Sequence, residues 1–191
     1  YEGDKITDFV EKPSEPISNL AIIGVYYFRE AADIKKEIEY LLENDIRGHG
    51  DEFQLTDALD RMLKDDKIFK KATVDEWLDC GTLPAWRETS RVILEKEQHP
   101  YDEQEYSNTR IVPPVYIGEN VTLEGCTIGP NASIARGCRI TNTTVSNSII
   151  RSHTAIEEST IENCTIGRHV EIKNVSKEVH LGDHSKIGVG V

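Results

Sequence analysis

The sequence has few of the features that direct a protein to a membrane or to nucleic acid. No apolar run among its 191 residues approaches the roughly 18 residues that a membrane-spanning helix needs, and the start lacks the charged-then-apolar layout of a signal peptide. Lysine and arginine number 22 against 34 acidic residues, which gives a net charge of -12. Because phosphate backbones attract clustered basic residues, this balance argues against a surface that coats nucleic acid. We therefore expect neither a membrane nor a nucleic acid as a partner.

Cysteine is also scarce. The four cysteines, Cys80, Cys126, Cys138 and Cys164, are far apart and form no CxxC pair. Disulfide frameworks and zinc sites use paired spacings, so we expect reduced thiols in a cytoplasmic protein. The chain begins without methionine and runs at once into a motif, which suggests a piece of a longer protein.

The first half of the chain alternates strand-like and helix-like segments. Residues 20–28 form an apolar run rich in β-branched and aromatic residues, which predicts a buried strand. Apolar residues at helical spacing predict helices over about 30–43, around 55–63 and over about 84–96, the last with Thr82 as its N-cap. This half is therefore an α/β segment, with too few strands for a complete doubly wound domain.

The second half repeats itself. From residue 111 an aliphatic residue recurs in steps of five or six. The repeated positions are Ile111, Ile117, Leu123, Ile128, Ile134, Ile140, Val145, Ile150, Ile156, Ile161, Ile166 and Ile172. Neither a helix nor a hairpin meander has this period. A triangular solenoid does, and we expect about four coils of roughly 18 residues, with one short strand per face and the aliphatic side chains inside.

These patterns divide the chain into an α/β segment (1–96), a polar linker (97–110) and a solenoid (111–191). The solenoid resembles the hexapeptide-repeat proteins, whose fold is the left-handed parallel β-helix. The expected fold class is thus α/β followed by a left-handed parallel β-helix. The repeat does not specify a function, because such helices occur in acyltransferases, in carbonic anhydrases and as assembly modules.

Four sequence blocks follow one another in the first half. They are FVEKP at 9–13, SNLAIIGVYYF at 18–28, EFQLTD at 52–57 and WLDCGT at 77–82. In this order they resemble the sugar-1-phosphate nucleotidylyltransferases, and most closely the glucose-1-phosphate thymidylyltransferases, over residues 5–96. The resemblance implies that a sugar 1-phosphate attacks the α-phosphorus of a nucleoside triphosphate and releases pyrophosphate. Glucose 1-phosphate and dTTP are the implied substrates.

The resemblance also implies roles for five residues. Glu11 would accept hydrogen bonds from sugar hydroxyls, and Lys12 would place a positive charge beside the sugar phosphate. The backbone of Ile22 and Gly24 would lie against the sugar, where glycine permits close approach. Asp79 would bind Mg²⁺, the implied cofactor. Lys12 and Asp79 are therefore the candidate catalytic residues.

Other parts of the family pattern are weaker or missing. Trp77 is expected to pack rather than to contact ligand, and Asp57 is expected to be a charge at a helix N-terminus. The family's glycine-rich GxGxR-type loop does not occur in the sequence, where Gly48-His49-Gly50 is the nearest match. The family's other metal-binding aspartate belongs to the same missing part. We therefore predict that the chain alone does not turn over, and the nucleobase and sugar stay open.

Two alternatives concern the solenoid. It could be an acyltransferase module, by itself or in a bifunctional parent, with a general base among His153, His169, His180 and His184. It could instead serve only to assemble subunits, which predicts a homo-oligomer. We favour the assembly module, because surface histidines are common in solenoids.

Overall fold

The computed structural model describes residues 1–11, 13–15, 17–97, 101, 106 and 108–188. The chain separates into two compact units, Tyr1–Trp77 and Leu78–Val191. The first unit is built on helices, and the second contains one helix and a parallel β-solenoid, so the predicted fold class is confirmed. Among the described residues no helix has the length and apolarity to cross a membrane.

The first unit is organised around two helices. Helix α1 spans Ala31–Glu43 and helix α2 spans Leu55–Lys64, with a 3₁₀ turn at His49–Asp51 between them. Both helices place apolar residues three or four positions apart on the face that they share. The buried cluster consists of Ile34, Leu41, Ala58, Leu59 and Met62, and Phe9, Tyr26, Phe28 and Phe69 pack against it.

One ion pair joins the two helices inside this packing. Glu37 on α1 is only 3% exposed, and its carboxylate accepts a hydrogen bond of 2.8 Å from Nε of Arg61 on α2. Nζ of Lys36 also lies 3.1 Å from that carboxylate, but the Lys36 side chain is exposed. The Arg61 guanidinium lies 3.6 Å above the ring of Tyr40. Arg61 is therefore the partner that compensates the buried charge.

The predicted strand over 20–28 is wrong, because this segment has no regular secondary structure. Two of its apolar side chains are almost fully exposed, Val25 at 79% and Tyr27 at 90%. A strand exists only when a neighbouring strand accepts and donates its backbone hydrogen bonds. Among the described residues of this unit, β-type pairing is limited to isolated bridges at Glu2, Lys5 and Lys70. The segment therefore has the composition of a buried strand, but the described residues of this unit form no sheet that it could join.

Helix α3 spans Leu83–Lys96 and belongs to the second compact unit. The Thr82 hydroxyl accepts a hydrogen bond of 3.3 Å from the backbone N–H of Ala85, which confirms the predicted N-cap. The helix packs against the solenoid strand that contains Ile149, a buried residue outside the solenoid interior. Its Arg87 lies 3.9 Å from the carboxylate of Glu178. The division of the chain at residues 97–110 stays a prediction, and 98–100, 102–105 and 107 lie outside the described residues.

The solenoid contains fourteen short strands within the described residues. They are β1 Arg110–Ile111, β2 Val115–Ile117, β3 Thr122–Glu124, β4 Thr127–Ile128, β5 Ala132–Ile134, β6 Arg139–Thr141, β7 Thr144–Ser146, β8 Ser148–Ile150, β9 Ala155–Glu157, β10 Thr160–Glu162, β11 Thr165–Ile166, β12 Glu171–Lys173, β13 His180–Leu181 and β14 Lys186–Ile187. They form three parallel sheets with the orders β1-β4-β7-β10 (sheet 1), β2-β5-β8-β11-β13 (sheet 2) and β3-β6-β9-β12-β14 (sheet 3).

The repeated aliphatic residues fill the interior, as the sequence predicts. Ten of the twelve, from Leu123 to Ile172, are at most 3% exposed, and Ile111 and Ile117 in the first coil are partly buried. The coils are shorter than expected, and they number about five rather than the expected four. Along sheet 3 the paired positions are 122, 139, 155, 171 and 186. Every coil is therefore shorter than the roughly 18 residues of three hexapeptides, and the last coil is the shortest. Very short strands and tight corners account for the difference.

Asparagine forms many of these corners. Asn120, Asn131, Asn142, Asn163 and Asn174 all have φ between 48° and 57°, the left-handed region that asparagine tolerates better than most residues. Stacked corners also hydrogen-bond to each other, as Nδ2 of Asn147 does to Oδ1 of Asn163. The backbone therefore turns tightly at these five asparagine positions without requiring glycine.

Three of the four cysteines lie inside the solenoid. Cys126, Cys138 and Cys164 are buried, whereas Cys80 in the loop before α3 is exposed, and all four are free thiols. Burial raises the pKa of Cys126, Cys138 and Cys164. A raised pKa lowers the thiolate fraction at neutral pH, and the thiolate is the reactive form.

We predict that one thiol per chain reacts with Ellman's reagent in the native protein at pH 8, and that all four react after denaturation in guanidinium. Replacing Cys80 with serine should remove the native reaction, while Cys138→Ser should leave it unchanged. Absorbance at 412 nm measures the thiolate released. Reaction of two or more thiols in the folded wild type would contradict the buried positions.

Arg61→Ala should destabilise the first unit by about 1–3 kcal/mol, because it leaves the buried Glu37 carboxylate without its main partner. Lys36→Ala is the matched control, since Lys36 contacts the same carboxylate from an exposed position and should cost far less. Urea unfolding followed by circular dichroism at 222 nm measures both. Equal losses in the two variants would show that Arg61 does not compensate the buried charge.

Candidate functional site

Glu11 lies where three of the four sequence blocks meet. Its Oε2 accepts a hydrogen bond of 3.4 Å from the hydroxyl of Thr56, in the third block. Burial, together with the negative charge of Glu11, raises the pKa of Tyr26, in the second block. One partly exposed carboxylate therefore contacts Thr56 and lies near enough to Tyr26 for its charge to act on that hydroxyl. Such a carboxylate has lone pairs left to accept hydrogen bonds from a polyol.

Helix α2 holds the Thr56 side of this group. Thr56 lies in the first turn of the helix and is buried, so its hydroxyl has a fixed position. Asp57 follows it in the same turn, in agreement with the expected charge at a helix N-terminus. An added Cβ at Gly48 would lie 2.5 Å from the Asp57 carboxylate, so the loop backbone passes close to this turn. The third block thus forms a compact start to α2.

The second block is open. Ile22 is 45% exposed, and Gly24 has φ 78°, a left-handed conformation that glycine adopts without strain. An added Cβ at Gly24 would meet no atom within 4 Å. The glycine is therefore required for its conformation, and the space beside it is free for another group.

Asp79 begins the turn that leads into α3. Its Oδ1 accepts a hydrogen bond of 3.0 Å from the backbone N–H of Gly81, and its carbonyl accepts one of 2.5 Å from the hydroxyl of Thr89. These bonds fix the backbone, while the carboxylate is exposed to solvent. Within the described part of the chain, no three histidine, cysteine, aspartate or glutamate side chains come together to hold a metal. Asp79 fits one position in the shell of Mg²⁺, which usually binds one or two carboxylates together with water and substrate phosphate.

Lys12 and Trp77 were also singled out from the sequence. Lys12, the candidate phosphate-binding and catalytic lysine, lies outside the described residues. Trp77 is 58% exposed, so the expectation that it packs is wrong in this structure. Its ring lies in the first unit, whereas Asp79 belongs to the second.

The four candidate histidines of the solenoid have two different environments. His153, His169 and His184 stack on one another at a single corner, with ring centroids 5.2 and 5.1 Å apart. His180 lies on strand β13, where its Nδ1 accepts a hydrogen bond of 3.2 Å from the backbone N–H of Thr165. Nε2 of His180 is 3.4 Å from the Glu178 carboxylate.

Sequence reasoning did not assign Thr56 or Tyr26 to the site. Both lie inside the recognised blocks, at the threonine of EFQLTD and the first tyrosine of GVYYF. The sequence did contain a clue for Thr56, because its hydroxyl belongs to a recognised block and directly precedes an acidic residue at the start of a helix. Such a hydroxyl can readily donate a hydrogen bond. The acceptor of the Thr56 hydrogen bond could not be found from the sequence, because residues 11 and 56 are far apart in the chain.

Comparison with known proteins agrees with the four blocks. The family model described as "Nucleotidyl transferase" matches residues 1–96. Glucose-1-phosphate thymidylyltransferase of Streptomyces antibioticus is 28% identical over 98% of this chain and 58% of its own length, and the protein of the same name from Streptomyces griseus is 26% identical over 97% and 57%. Glucose-1-phosphate adenylyltransferase of Acetivibrio thermocellus is 30% identical over 95% of this chain and 45% of its own length.

The chain spans about half the length of the curated relatives that it matches. The matched family model covers the whole first half, including all four blocks and helix α3. The chain therefore belongs to the nucleotidyl transferase family.

Proposed function

We propose that this chain is the sugar-phosphate side of a sugar-1-phosphate nucleotidylyltransferase. The full reaction would join a sugar 1-phosphate to a nucleoside triphosphate and release pyrophosphate. The observation that carries the proposal is the hydrogen bond from Thr56 to Glu11, because it joins the third block to the first at one carboxylate, whose charge also acts on Tyr26 of the second block. An exposed salt-bridging turn would not need a buried hydroxyl to orient it.

Each residue has a distinct part in the proposal. Glu11 accepts hydrogen bonds from sugar hydroxyls and is held in place by Thr56. Lys12 contributes a point positive charge to the sugar phosphate. The free space beside Gly24 and the exposed backbone near Ile22 receive the sugar ring. Asp79 holds Mg²⁺, which would offset the charge that develops on the phosphates.

Glucose 1-phosphate is the proposed sugar substrate, because the names of the relatives given above all specify glucose 1-phosphate. Those names include both thymidylyltransferases and adenylyltransferases, so they do not select one base. We keep dTTP as the proposed nucleotide because the sequence blocks are most similar to the thymidylyltransferases.

We predict that the chain binds glucose 1-phosphate and that Glu11→Gln weakens this binding by roughly tenfold to hundredfold, as expected for one hydrogen bond to a charged acceptor. Isothermal titration calorimetry measures the dissociation constant. Glu39→Gln is the matched control, because Glu39 is an exposed carboxylate on α1 that forms an ion pair with Lys35. Equal affinity in wild type and Glu11→Gln would remove Glu11 from the sugar site.

We also predict that the chain alone forms no nucleoside-diphosphate sugar from glucose 1-phosphate, dTTP and Mg²⁺. The reason is that none of its sequence resembles the family's glycine-rich nucleotide-binding loop. Anion-exchange chromatography with a radiolabelled sugar phosphate measures the product. Product above the level found without protein would contradict this prediction, while leaving the binding prediction intact.

The solenoid is proposed to assemble copies of the chain in the cytoplasm into a homo-oligomer. Its outer surface is regular, since sheet 3 carries ion pairs between successive coils at Lys173–Glu157 and Lys186–Glu171. A repeating surface of this kind suits symmetric association. The acyltransferase alternative gains no support from the histidines, because three of them stack on one another and His180 is engaged with the backbone.

A further inference from the structure

One corner of the solenoid, between sheets 2 and 3, has a composition unlike the other two. Backbone hydrogen bonds connect this corner from coil to coil, from Gly137 to Glu119, from His153 to Arg136, from His169 to Ser152 and from His184 to Arg168. The corner is therefore a single column that crosses five coils. A groove of about 630 Å³ opens along it.

The histidines of this column form a ladder. His153, His169 and His184 have φ of 61°, 54° and 63°, and their rings are parallel to within 11°. Asparagine holds the same backbone conformation at Asn147 and Asn163, so an imidazole is not needed to make the turn. What histidine adds is a row of ring nitrogens along the wall of the groove.

Glycine opens the groove at the start of the ladder. Gly137 takes the ladder position one coil before His153, with φ 71°. An added Cβ at Gly137 would lie 2.5 Å from Nδ1 of His153. The ring of His153 therefore occupies space that a larger residue at position 137 would fill.

Two arginines flank the ladder. Arg136 and Arg168 are exposed and line the groove, and neither forms an ion pair with a carboxylate in the described parts of the chain, although the charge of Arg168 contributes to lowering the pKa of Asp183. Glu119 also lines the groove, one coil before Arg136, yet it forms no ion pair with any described residue. At the other end Asp183 accepts a hydrogen bond of 2.7 Å from the backbone N–H of Arg168 and lies 3.7 Å from Arg151. The chain as a whole carries a net charge of -12. Two unpaired arginines beside two imidazoles are therefore an unusual grouping of basic side chains in this protein.

The spacing of the arginines indicates the size of the anion. Arg136 and Arg168 are two coils apart, with Ser152 between them, so their backbones stand roughly 10 Å apart at the usual spacing of neighbouring strands. Guanidinium groups bind phosphate oxygens in pairs. A single phosphate would require both positively charged guanidinium groups to converge on one point, whereas two linked phosphoryl groups give each guanidinium its own partner, with the Ser152 hydroxyl and the imidazoles as further donors.

We propose that this corner groove binds the diphosphate group of a small ligand, between Arg136 and Arg168 and against His153 and His169. The site lies within the solenoid and is independent of the proposed function of the first unit. Carboxylates Glu119 and Asp183 close the two ends, so longer polyanions are disfavoured by like charge.

The test is titration of the full chain with inorganic pyrophosphate, with ADP as an organic diphosphate and orthophosphate as the smaller anion. Pyrophosphate should bind at least roughly tenfold more tightly than orthophosphate, and the Hε1 resonances of His153 and His169 should shift. Affinity for ADP equal to or above that for pyrophosphate identifies an organic diphosphate. Affinity for pyrophosphate alone identifies the free anion.

Two variants locate the site. The double variant R136Q/R168Q should bind pyrophosphate roughly tenfold to hundredfold more weakly, while R139Q, an exposed arginine of β6 outside the groove, should bind like wild type. His153→Asn should weaken binding severalfold with little change in melting temperature, because asparagine accepts the corner conformation. Unchanged affinity in R136Q/R168Q, equal binding of orthophosphate, or absence of histidine shifts at millimolar pyrophosphate would each overturn the proposal.

Discussion

Each coil of the solenoid hydrogen-bonds to the next at the same point of its path, and most other features of the second unit depend on this register. In parallel in-register pairing, every outward side chain has a counterpart one coil above and one below, about 4.8 Å away. The aliphatic interior, the asparagine corners and the histidine ladder are all columns of this kind. A substitution at one coil therefore acts on its neighbours in the column, which are far from it in sequence.

Much of the solenoid can be predicted from the sequence because its contacts repeat at short range. Inward aliphatic residues are needed once per face of each coil, so Ile128, Ile134 and Ile140 are recognisable by spacing alone. The hexapeptide pattern overestimates the coil length, because it assumes six positions per face, whereas steps of five are nearly as frequent in this chain. With the shorter coils of the structure, the spacing of His153, His169 and His184 matches successive coils and predicts the ladder. The environment of Arg136 and Arg168 cannot be predicted, since it depends on side-chain directions.

The first unit is less predictable for a physical reason. Helix hydrogen bonds are local, so amphipathic spacing is enough to place α1 and α2, and the hydroxyl of Thr82 is enough to mark the start of α3. Strand hydrogen bonds are not local. Residues 20–28 have the composition of a buried strand, but composition does not supply a neighbour, and the segment stays exposed and irregular. For the same reason the motif identifies Glu11, while its partner Thr56 emerges only from the packing of α2.

The two candidate sites differ in how firmly the protein holds them, and this difference bears on what each can do. A binding site is most effective when its groups are fixed before the ligand arrives. The corner groove is built on hydrogen-bonded coils with a fully buried interior, so its arginines and imidazoles start from a fixed backbone. At the proposed sugar site, only the Thr56 side is fixed by a buried helix turn, while Ile22 and Gly24 are exposed. Ordering that exposed backbone costs conformational entropy at the moment of binding. The sugar site of this chain should therefore bind its ligand weakly unless further structure covers the 20–28 segment, whereas the groove needs no such support.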